Sequence, residues 1–310
     1  MTDSDYRYDA QPIEVKGLTR RFGKKVALNN INLTATQGRV LGLVGENGAG
    51  KTTLIKHIMG LLKAQQGSVK VFGIDPVKDP VSALSKIGYL SEDRDIPHWM
   101  RVDELMNYTR AFYPDWDVTY AEELLKVFRL DPSAKIKQLS RGQKAQAALL
   151  TALAYRPPLL LLDEPSSGLD PIVRRDILTA IIRTIADEGR TVLFSSHLLD
   201  EVERVADDVA IIHEGNIVIN DSLESIKAKH HSITLRFPES QPDKPEIEGA
   251  ISIKGKGREW TILCNGDMDI INSKILNMGC EIFHDTPPSL EDIFIAYAGV
   301  DRPIPKEVKL

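Results

Sequence analysis

The sequence contains few cysteines, few aromatic residues and no long apolar run. Its two cysteines, Cys264 and Cys280, in 310 residues are too few for a disulfide framework, so we expect reduced thiols and a cytosolic protein. Aromatic residues make up only 6% of the chain. The longest apolar candidate, Leu159–Leu162, is far shorter than the roughly 20 residues that span a bilayer. Any association with a membrane is therefore expected to depend on a partner.

Charge is nearly balanced, with 39 Lys and Arg against 44 Asp and Glu and a net charge of −5. General nucleic-acid binding needs a basic face, so no nucleic-acid partner is expected. Residues 1–12 are polar and acidic and lack the basic and apolar regions of a signal peptide, so we expect a disordered start. At roughly 100–200 residues per domain, the length predicts one large and one smaller domain.

Strands and helices are predicted to alternate over residues 13–229. Short apolar runs such as Val40–Val44 and Leu159–Leu162 indicate buried strands, and helical spacing separates them, for example over Gln143–Tyr155. One longer helical pattern covers Val102–Leu130. Such alternation predicts an α/β fold with a mostly parallel sheet and helices on both of its faces.

The pattern changes near residue 230. Residues 230–300 predict a small α+β accessory or regulatory domain without a recognisable catalytic motif, and the two prolines within 301–310 indicate a flexible tail. The elements predicted in the small domain include two separate strands, Ile251–Ile253 and Trp260–Cys264, and a last helix whose capping box pairs Ser289 with Asp292.

A glycine-rich segment follows the Val40–Val44 strand and opens a predicted helix. Its sequence, Gly45-Glu46-Asn47-Gly48-Ala49-Gly50-Lys51-Thr52, fits the phosphate-loop pattern. The glycines let consecutive backbone N–H groups turn towards a triphosphate, and the helix N-terminus adds its positive end. Lys51 would reach the β- and γ-phosphates, and the Thr52 hydroxyl would ligate Mg²⁺. This segment predicts a nucleotide site.

Two carboxylates follow the Leu159–Leu162 strand. Open α/β sheets bind their ligands at the carboxyl ends of their strands, where Asp163 and Glu164 are expected to lie. Asp163 can hold Mg²⁺ through water, and Glu164 can polarise an attacking water. The alternative is a strand that simply ends in a charged turn.

Three further segments bear on the class of protein. Leu139–Gln143 opens a helix, so that Ser140 and free N–H groups could meet a second anion. Ser167–Asp170 lies just after the two carboxylates. His197 ends a predicted strand and can donate a hydrogen bond to a γ-phosphate; a histidine taken alone at such a position is more often a helix-start or core residue.

In this order, the motifs resemble those of the ATP-binding cassette family over Ile13–Ser225. The resemblance implies a phosphate-loop NTPase fold with a helical subdomain at about residues 93–157 and an antiparallel β edge. It implies an ATPase in which the phosphate loop of one chain faces the Leu139–Gln143 signature of a second chain. Two ATP molecules would then be closed in a head-to-tail dimer with a second copy of the chain or with a related cassette subunit.

The resemblance also assigns roles by residue. Phe22 would stack on adenine, Asp170 would lie in the loop that communicates across the dimer, and His197 would be the switch histidine. The catalytic candidates are Lys51, Glu164 and His197. The nucleotide-binding candidates are Phe22, Val26, Gly45, Glu46, Asn47, Gly48, Ala49, Gly50, Lys51, Thr52, Thr53, Ser140, Arg141, Gly142, Gln143 and Asp170. The Mg²⁺ candidates are Thr52, Glu92 and Asp163.

Two positions depart from the family pattern. Glu92 stands where a glutamine is common, and it would add a negative charge beside phosphates. Arg141 stands in the signature where glycine is usual, and its side chain either faces the phosphates or lies beside the nucleotide. Neither change removes a catalytic group, so ATP hydrolysis is still expected.

A single cassette with a modest C-terminal addition resembles bacterial exporter-like (ABC-2-type) ATPase subunits that pair with separate membrane subunits. Such a chain would be cytoplasmic and peripheral on the inner face of the cell membrane. The expected docking surface lies within Glu92–Asp117, where the rings could instead fill the chain's own core. Its candidates are Trp99, Met100, Tyr113 and Trp116. The alternative functions are a soluble regulatory or assembly ATPase without a membrane partner and, more remotely, a phosphate-loop kinase.

Overall fold

The structure is a computed structural model that describes residues 10–186, 189–241, 243–247, 249–266 and 268–299. It divides into two compact units, Met1–Asn220 and Asp221–Leu310, whereas the sequence pattern placed the boundary after residue 229. The predicted disordered start falls largely outside the described residues, and the predicted tail at 301–310 falls wholly outside them.

The first unit alternates strands and helices as predicted. Its elements are β1 Ile13–Phe22, β2 Lys25–Ala35, β3 Val40–Val44, α1 Lys51–Ile58, β4 Gln66–Lys70, α2 Pro80–Leu84, β5 Ile87–Leu90, α3 Val102–Arg110, α4 Val118–Val127, a 3₁₀ turn Ile136–Gln138, α5 Arg141–Leu153, β6 Leu159–Asp163, α6 Pro171–Ala186, β7 Thr191–Ser196, α7 Leu199–Val205, β8 Asp208–His213 and β9 Asn216–Ser222, which contains the unit boundary.

A six-stranded sheet in the order β5-β6-β7-β3-β8-β9 forms the centre of the first unit. Its first five strands pair in parallel, which confirms the predicted mostly parallel sheet. Every residue of β3, β6 and β7 is buried, as expected for strands covered on both faces. The carboxyl ends of these three neighbouring strands meet at one sheet edge, and this edge carries the phosphate loop, Glu164 and His197.

The predicted antiparallel edge is a second sheet in the order β2-β1-β4. Val15 pairs with Leu33 on one side and with Val69 on the other. Strand β2 begins at Lys25, because Gly23 adopts a φ of 58° that allows a tight turn after Phe22. This hairpin places Phe22 near the phosphate loop.

The single helical pattern predicted over Val102–Leu130 is two helices, α3 and α4. Pro114 interrupts the pattern, and the Asp117 carboxylate caps α4 by accepting a hydrogen bond from Tyr120 N at 2.9 Å. Tyr113 stacks on Tyr155 with 3.6 Å between ring centroids. The segment between α3 and α4 therefore lets the Tyr113 ring pack against the helical subdomain.

Gly88 in β5 marks a close approach of α5 to the central sheet. A Cβ at Gly88 would lie 2.4 Å from Ala152 O and 2.7 Å from Pro157 Cγ. Gly88→Ala is therefore expected to destabilise the first unit by about 3 kcal/mol through overpacking, measured as a lower midpoint of urea unfolding.

Gly23→Ala is the matched control for that substitution. Among the described residues, nothing lies within 4 Å of a Cβ built at Gly23, so only its φ of 58° opposes the change, at about 1 kcal/mol. Equal midpoint shifts for the two variants would contradict the packing argument.

The second unit is a small α+β domain. Its elements are α8 Leu223–Lys229, β10 His230–Gln241, β11 Ala250–Asn265, α9 Met268–Asn277, β12 Glu281–Thr286 and α10 Leu290–Ala298. An antiparallel sheet in the order β11-β10-β12 packs its buried side chains into one core that includes Ile233, Leu235 and Trp260.

Three sequence predictions can be compared with the structure of the second unit. Ile251–Ile253 and Trp260–Cys264 belong to one strand, β11, rather than two. Its part from Gly257 to Asn265 pairs with β10. The capping box is confirmed, since Ser289 Oγ accepts from Asp292 N at 3.1 Å. Both cysteines are free and buried, and burial raises the pKa of the Cys264 thiol to about 11.

Candidate active site

The phosphate loop joins the end of β3 to the start of α1. Gly48 and Gly50 have φ angles of 83° and 120°, which strongly favour glycine. A Cβ at Gly45 would lie 2.4 Å from Ile212 O, and one at Gly50 would lie 2.7 Å from Ala27 O. The glycines of this loop are therefore required by the neighbouring backbone as well as by the turn.

Lys51 is the first residue of α1, directly after the loop, and only 5% of its surface is exposed. Its Nζ donates to Gly45 O at 2.6 Å and to Glu46 O at 3.3 Å. The same atom lies 3.0 Å from Glu164 Oε1 in a buried ion pair. A cation is thus placed beside the loop whose geometry suits a triphosphate, and its charge is balanced by the candidate base.

Glu164 follows β6 in a left-handed conformation with a φ of 49°, which is unusual for a residue with a side chain. Glu164 N donates to Ser195 Oγ at 2.9 Å, and Ser195 Oγ donates to Asp163 Oδ1 at 2.7 Å. The other Glu164 carboxylate oxygen, Oε2, lies 2.7 Å from His197 Nδ1. The structure therefore brings Lys51, Glu164 and His197 together, although they come from three separate segments.

An open cleft of about 430 Å³ lies in front of this group. Half-exposed Phe22 lines the cleft, and its stacking on adenine stays a prediction. Val26 is not among the described residues that line the cleft, whereas its neighbours Lys25 and Ala27 are. Sequence reasoning missed Lys25, for which the only signal was a basic residue just after the Phe22 hairpin. The cleft is lined by Phe22, Lys25, Ala27, Glu46, Asn47, Gly48, Gly50, Lys51, Thr52, Thr53, Glu92 and Glu164.

A groove of about 530 Å³ lies beside the cleft and shares Thr52 and Glu92 with it. Asp163 lines the groove as well, so the three Mg²⁺ candidates surround one region. Tyr89 also lines the groove, and burial together with the nearby Asp163 and Asp93 charges raises its pKa to about 12.

The signature segment caps helix α5. Ser140 Oγ accepts from Gln143 N at 3.2 Å, and Gln143 Oε1 accepts from Ser140 N at 3.0 Å. Gly142 packs against α6, where a Cβ would lie 2.8 Å from Val173 Cγ2. Within the described residues, the signature residues 140–143 and Asp170 do not line the cleft of their own chain. The structure does not bring them together with Lys51 and Glu164.

The predicted docking residues differ in burial. Trp99 is 73% exposed, whereas Met100 is 5% exposed and packs inside the helical subdomain. Tyr113 stacks on Tyr155, and Trp116 is half-buried. Burial therefore favours Trp99 as a surface anchor and makes Met100 a poor one.

Comparison with known proteins identifies the family. Residues 28–167 match the family described as ABC transporter. The uncharacterized ABC transporter ATP-binding protein YdbJ of Bacillus subtilis is 30% identical over 92% of this chain and 95% of its own length. The chain belongs to the ABC transporter family. It is an ATP-binding subunit of that family.

Two further known proteins are similar to this chain over most of their own lengths. The bacitracin transport ATP-binding protein BcrA of Bacillus licheniformis is 28% identical to this ABC chain over 93% of it and 97% of BcrA. A dimeric bacterial ABC transporter cassette of known structure is 25% identical, covers 68% of this chain and 98% of that one, and superposes with a TM-score of 0.62. In the described part of the ABC chain, no helix combines the length and the apolar character needed to cross a bilayer.

The two departures from the ABC pattern have defined settings. Glu92 is exposed and lines both the cleft and the groove. The Arg141 guanidinium lies against Gly168, where a Cβ would come 2.4 Å from Nη1. In this chain Arg141 therefore contacts the loop after Glu164.

Proposed function

We propose that this ABC chain hydrolyses MgATP in a head-to-tail dimer and thereby drives a separate membrane subunit. The observation that carries the proposal is the convergence of Lys51, Glu164 and His197 at the phosphate loop, with Lys51 Nζ 3.0 Å and His197 Nδ1 2.7 Å from the Glu164 carboxylate. A buried carboxylate held between two cationic or hydrogen-bonding groups is positioned to act as a base.

In the proposed reaction, the β- and γ-phosphates lie along residues 45–52, and Lys51 donates to their oxygens. Glu164 accepts a proton from a water whose oxygen attacks the γ-phosphorus, and the bond to the β–γ bridging oxygen breaks to release ADP and phosphate. His197 holds the Glu164 carboxylate in place through Nδ1. Its ring is also close enough to the base to interact with the γ-phosphate when ATP is bound.

The oxygen groups near the phosphate loop suit Mg²⁺, which prefers oxygen ligands and usually keeps some ligands from water and substrate phosphates. Thr52, Asp163 and Glu92 would hold the ion. Among the residues with described positions, no group of three or more His, Cys, Asp or Glu side chains could hold a metal, so this set fits an ion shared with ATP rather than a closed protein site. When bound, the ion neutralises phosphate charge.

The placement of the signature supports the proposed dimer. Residues 140–143 lie at a helix N-terminus that can bind an anion, yet they do not line the described cleft of their own chain. A second chain can supply them. The similarity to a dimeric ABC transporter cassette supports this arrangement.

A membrane subunit is proposed to dock at the groove beside Glu92, next to exposed Trp99. This would place the chain at the cytoplasmic face of the membrane. Similarity to the bacitracin transport protein BcrA supports a role in transport, and the resemblance to exporter-like ATPase subunits favours export as its direction. The alternative is a soluble regulatory or assembly ATPase that has no membrane partner.

Isolation of a stalled complex tests the proposal. A tagged Glu164→Gln chain would be purified with MgATP from detergent-solubilised native membranes, and co-purifying proteins identified by mass spectrometry. A polytopic membrane protein in stoichiometric amount is the expected result. Recovery of a bare homodimer or a soluble partner would instead favour the regulatory ATPase.

Trp99→Ala is expected to lower the amount of co-purified membrane protein about tenfold, because exposed aromatic anchors dominate interfaces. ATP binding should not change, since Trp99 does not line the described cleft. Val81→Ala is the control, because Val81 is an exposed apolar residue on α2. An equal loss for both variants would exclude Trp99 as the anchor.

A further inference from the structure

A buried arginine lies in the loop that lines the proposed docking groove. Arg94 has a φ of 52° and only 6% of its surface exposed, although Glu92, Asp93 and Asp95 around it are exposed. Arg94 and these three carboxylates all line the groove. The left-handed backbone turns the one guanidinium of this loop inwards while its acidic neighbours face solvent.

The Arg94 guanidinium contacts the backbone just after Glu164. Nη2 donates to Ser167 O at 2.7 Å and is 3.4 Å from Pro165 O. Ser167 N in turn donates to Glu164 O at 3.1 Å. Two hydrogen bonds in series therefore connect the groove loop to the backbone of the catalytic glutamate.

This contact is unusual because the buried cation is held by carbonyl oxygens. Burial lowers the pKa of Arg94, as does the nearby Arg141 charge, while Glu92 opposes the shift. In the part of the chain that the structure describes, Nε of Arg94 has no hydrogen-bond partner. The Arg94 side chain is therefore fixed mainly by the loop it holds, so displacing either one is expected to displace the other.

Other side chains hold the same loop from other elements. Arg141 lies against Gly168. Ser166 Oγ donates to the buried Glu201 carboxylate of α7, which also pairs with Arg174 at 3.0 Å. Neither Arg141 nor Glu201 belongs to the groove. Among these described side chains, Arg94 is therefore the one that connects the loop at residues 165–168 to the groove.

We propose that Arg94 is a positioning residue that transmits occupation of the groove to Glu164 through Ser167. The proposal rests on the proposed function, because the membrane subunit is the occupant of the groove. A shift of the groove loop moves the Arg94 guanidinium, and the 165–168 backbone moves with it. Displacements of about 1 Å at a catalytic group change rates by roughly 100-fold, so a small movement is sufficient.

The kinetics of the full-length chain test the positioning role. Arg94→Ala is expected to lower kcat for ATP hydrolysis about 10- to 100-fold, with KM for MgATP changed less than about threefold, because the phosphate loop is untouched. Arg94→Lys, which keeps a donor for Ser167 O, should recover most of kcat. Arg110→Ala, an exposed arginine at the end of α3, is the control and should match the unmodified chain.

Amide hydrogen exchange gives a readout that does not depend on turnover. Arg94→Ala should speed exchange within residues 165–170 and leave exchange in the phosphate loop unchanged. Unchanged exchange at 165–170, or unchanged kcat, would overturn the proposal. Equal losses in kcat and ATP affinity, with faster exchange throughout the first unit, would also overturn it by showing a general structural role.

An unmodified chain without ATPase activity would refute the proposed function, and the exchange result would still decide the Arg94 contact.

A probe in the groove tests transmission. Asp95→Cys places a single exposed thiol there, since both native cysteines are buried, and biotin maleimide would occupy the groove when attached. Labelling is expected to change kcat at least threefold in the Asp95→Cys chain that keeps Arg94. It should have no effect on kcat in the chain that carries both Asp95→Cys and Arg94→Ala. The same change in both chains would overturn the transmission proposal.

Discussion

Glu164→Gln is expected to lower kcat for ATP hydrolysis by about 10²- to 10⁴-fold, the usual contribution of a general base. Glutamine preserves the shape of the side chain and can still contact Lys51 and His197, but it cannot take a proton from water at neutral pH. Affinity for MgATP should stay within about threefold. The measurements are steady-state phosphate release and equilibrium binding of ATP.

The same variant should accumulate an ATP-bound dimer, visible by light scattering after size-exclusion chromatography with MgATP. Glu122→Gln, an exposed carboxylate on α4, is the matched control and should hydrolyse ATP at the original rate. Full activity in Glu164→Gln would remove Glu164 from the role of base and leave His197 or the substrate to accept the proton.

Lys51→Ala is expected to weaken ATP binding about 100-fold. Hydrogen bonds to charged groups contribute about 1.5–3 kcal/mol, and each 1.4 kcal/mol is a tenfold change in affinity. The substitution also leaves the buried Glu164 carboxylate without the cation that lies 3.0 Å away, so negative charge faces the incoming phosphates. Binding of a fluorescent ATP analogue, competed with ATP, measures the loss.

Lys63→Ala serves as the control for net charge, because Lys63 is exposed and does not line the described cleft. Its affinity for ATP should match that of the unmodified chain. If Lys51→Ala and Lys63→Ala weakened binding equally, a general electrostatic attraction would explain the effect better than a specific contact.

The parts of the fold and site that follow from local sequence were predictable. The phosphate loop is one continuous segment with a strand before it and a helix after it, so its motif and its setting can both be recognised. The Leu159–Leu162 run is apolar at every position because β6 is buried on both faces. Asp163 and Glu164 then necessarily emerge at the ligand-binding edge of the sheet.

Features that depend on distant contacts were not predictable. Met100 and Trp99 are adjacent and both apolar, yet one is buried and the other is exposed, because the packing of the helical subdomain decides which side chain turns inwards. Nothing local marks Arg94, whose partner Ser167 O lies 73 positions away. The resemblance named Val26 rather than Lys25, yet neighbouring residues of a strand face opposite sides, and it is Lys25 that lines the cleft.

The strand order also has a consequence for synthesis. Strand β3, which leads into the phosphate loop, has β7 and β8 as its neighbours, and the contact of Gly38 N with Thr191 Oγ1 spans 153 positions. On the ribosome, the loop emerges long before the strands that support it and before the carboxylate and histidine that complete it. Contacts of such long sequence separation form slowly. A nascent chain that ends before β7 therefore has both edges of β3 unpaired, and the phosphate loop gains its supporting strands only after β7 and β8 have been made.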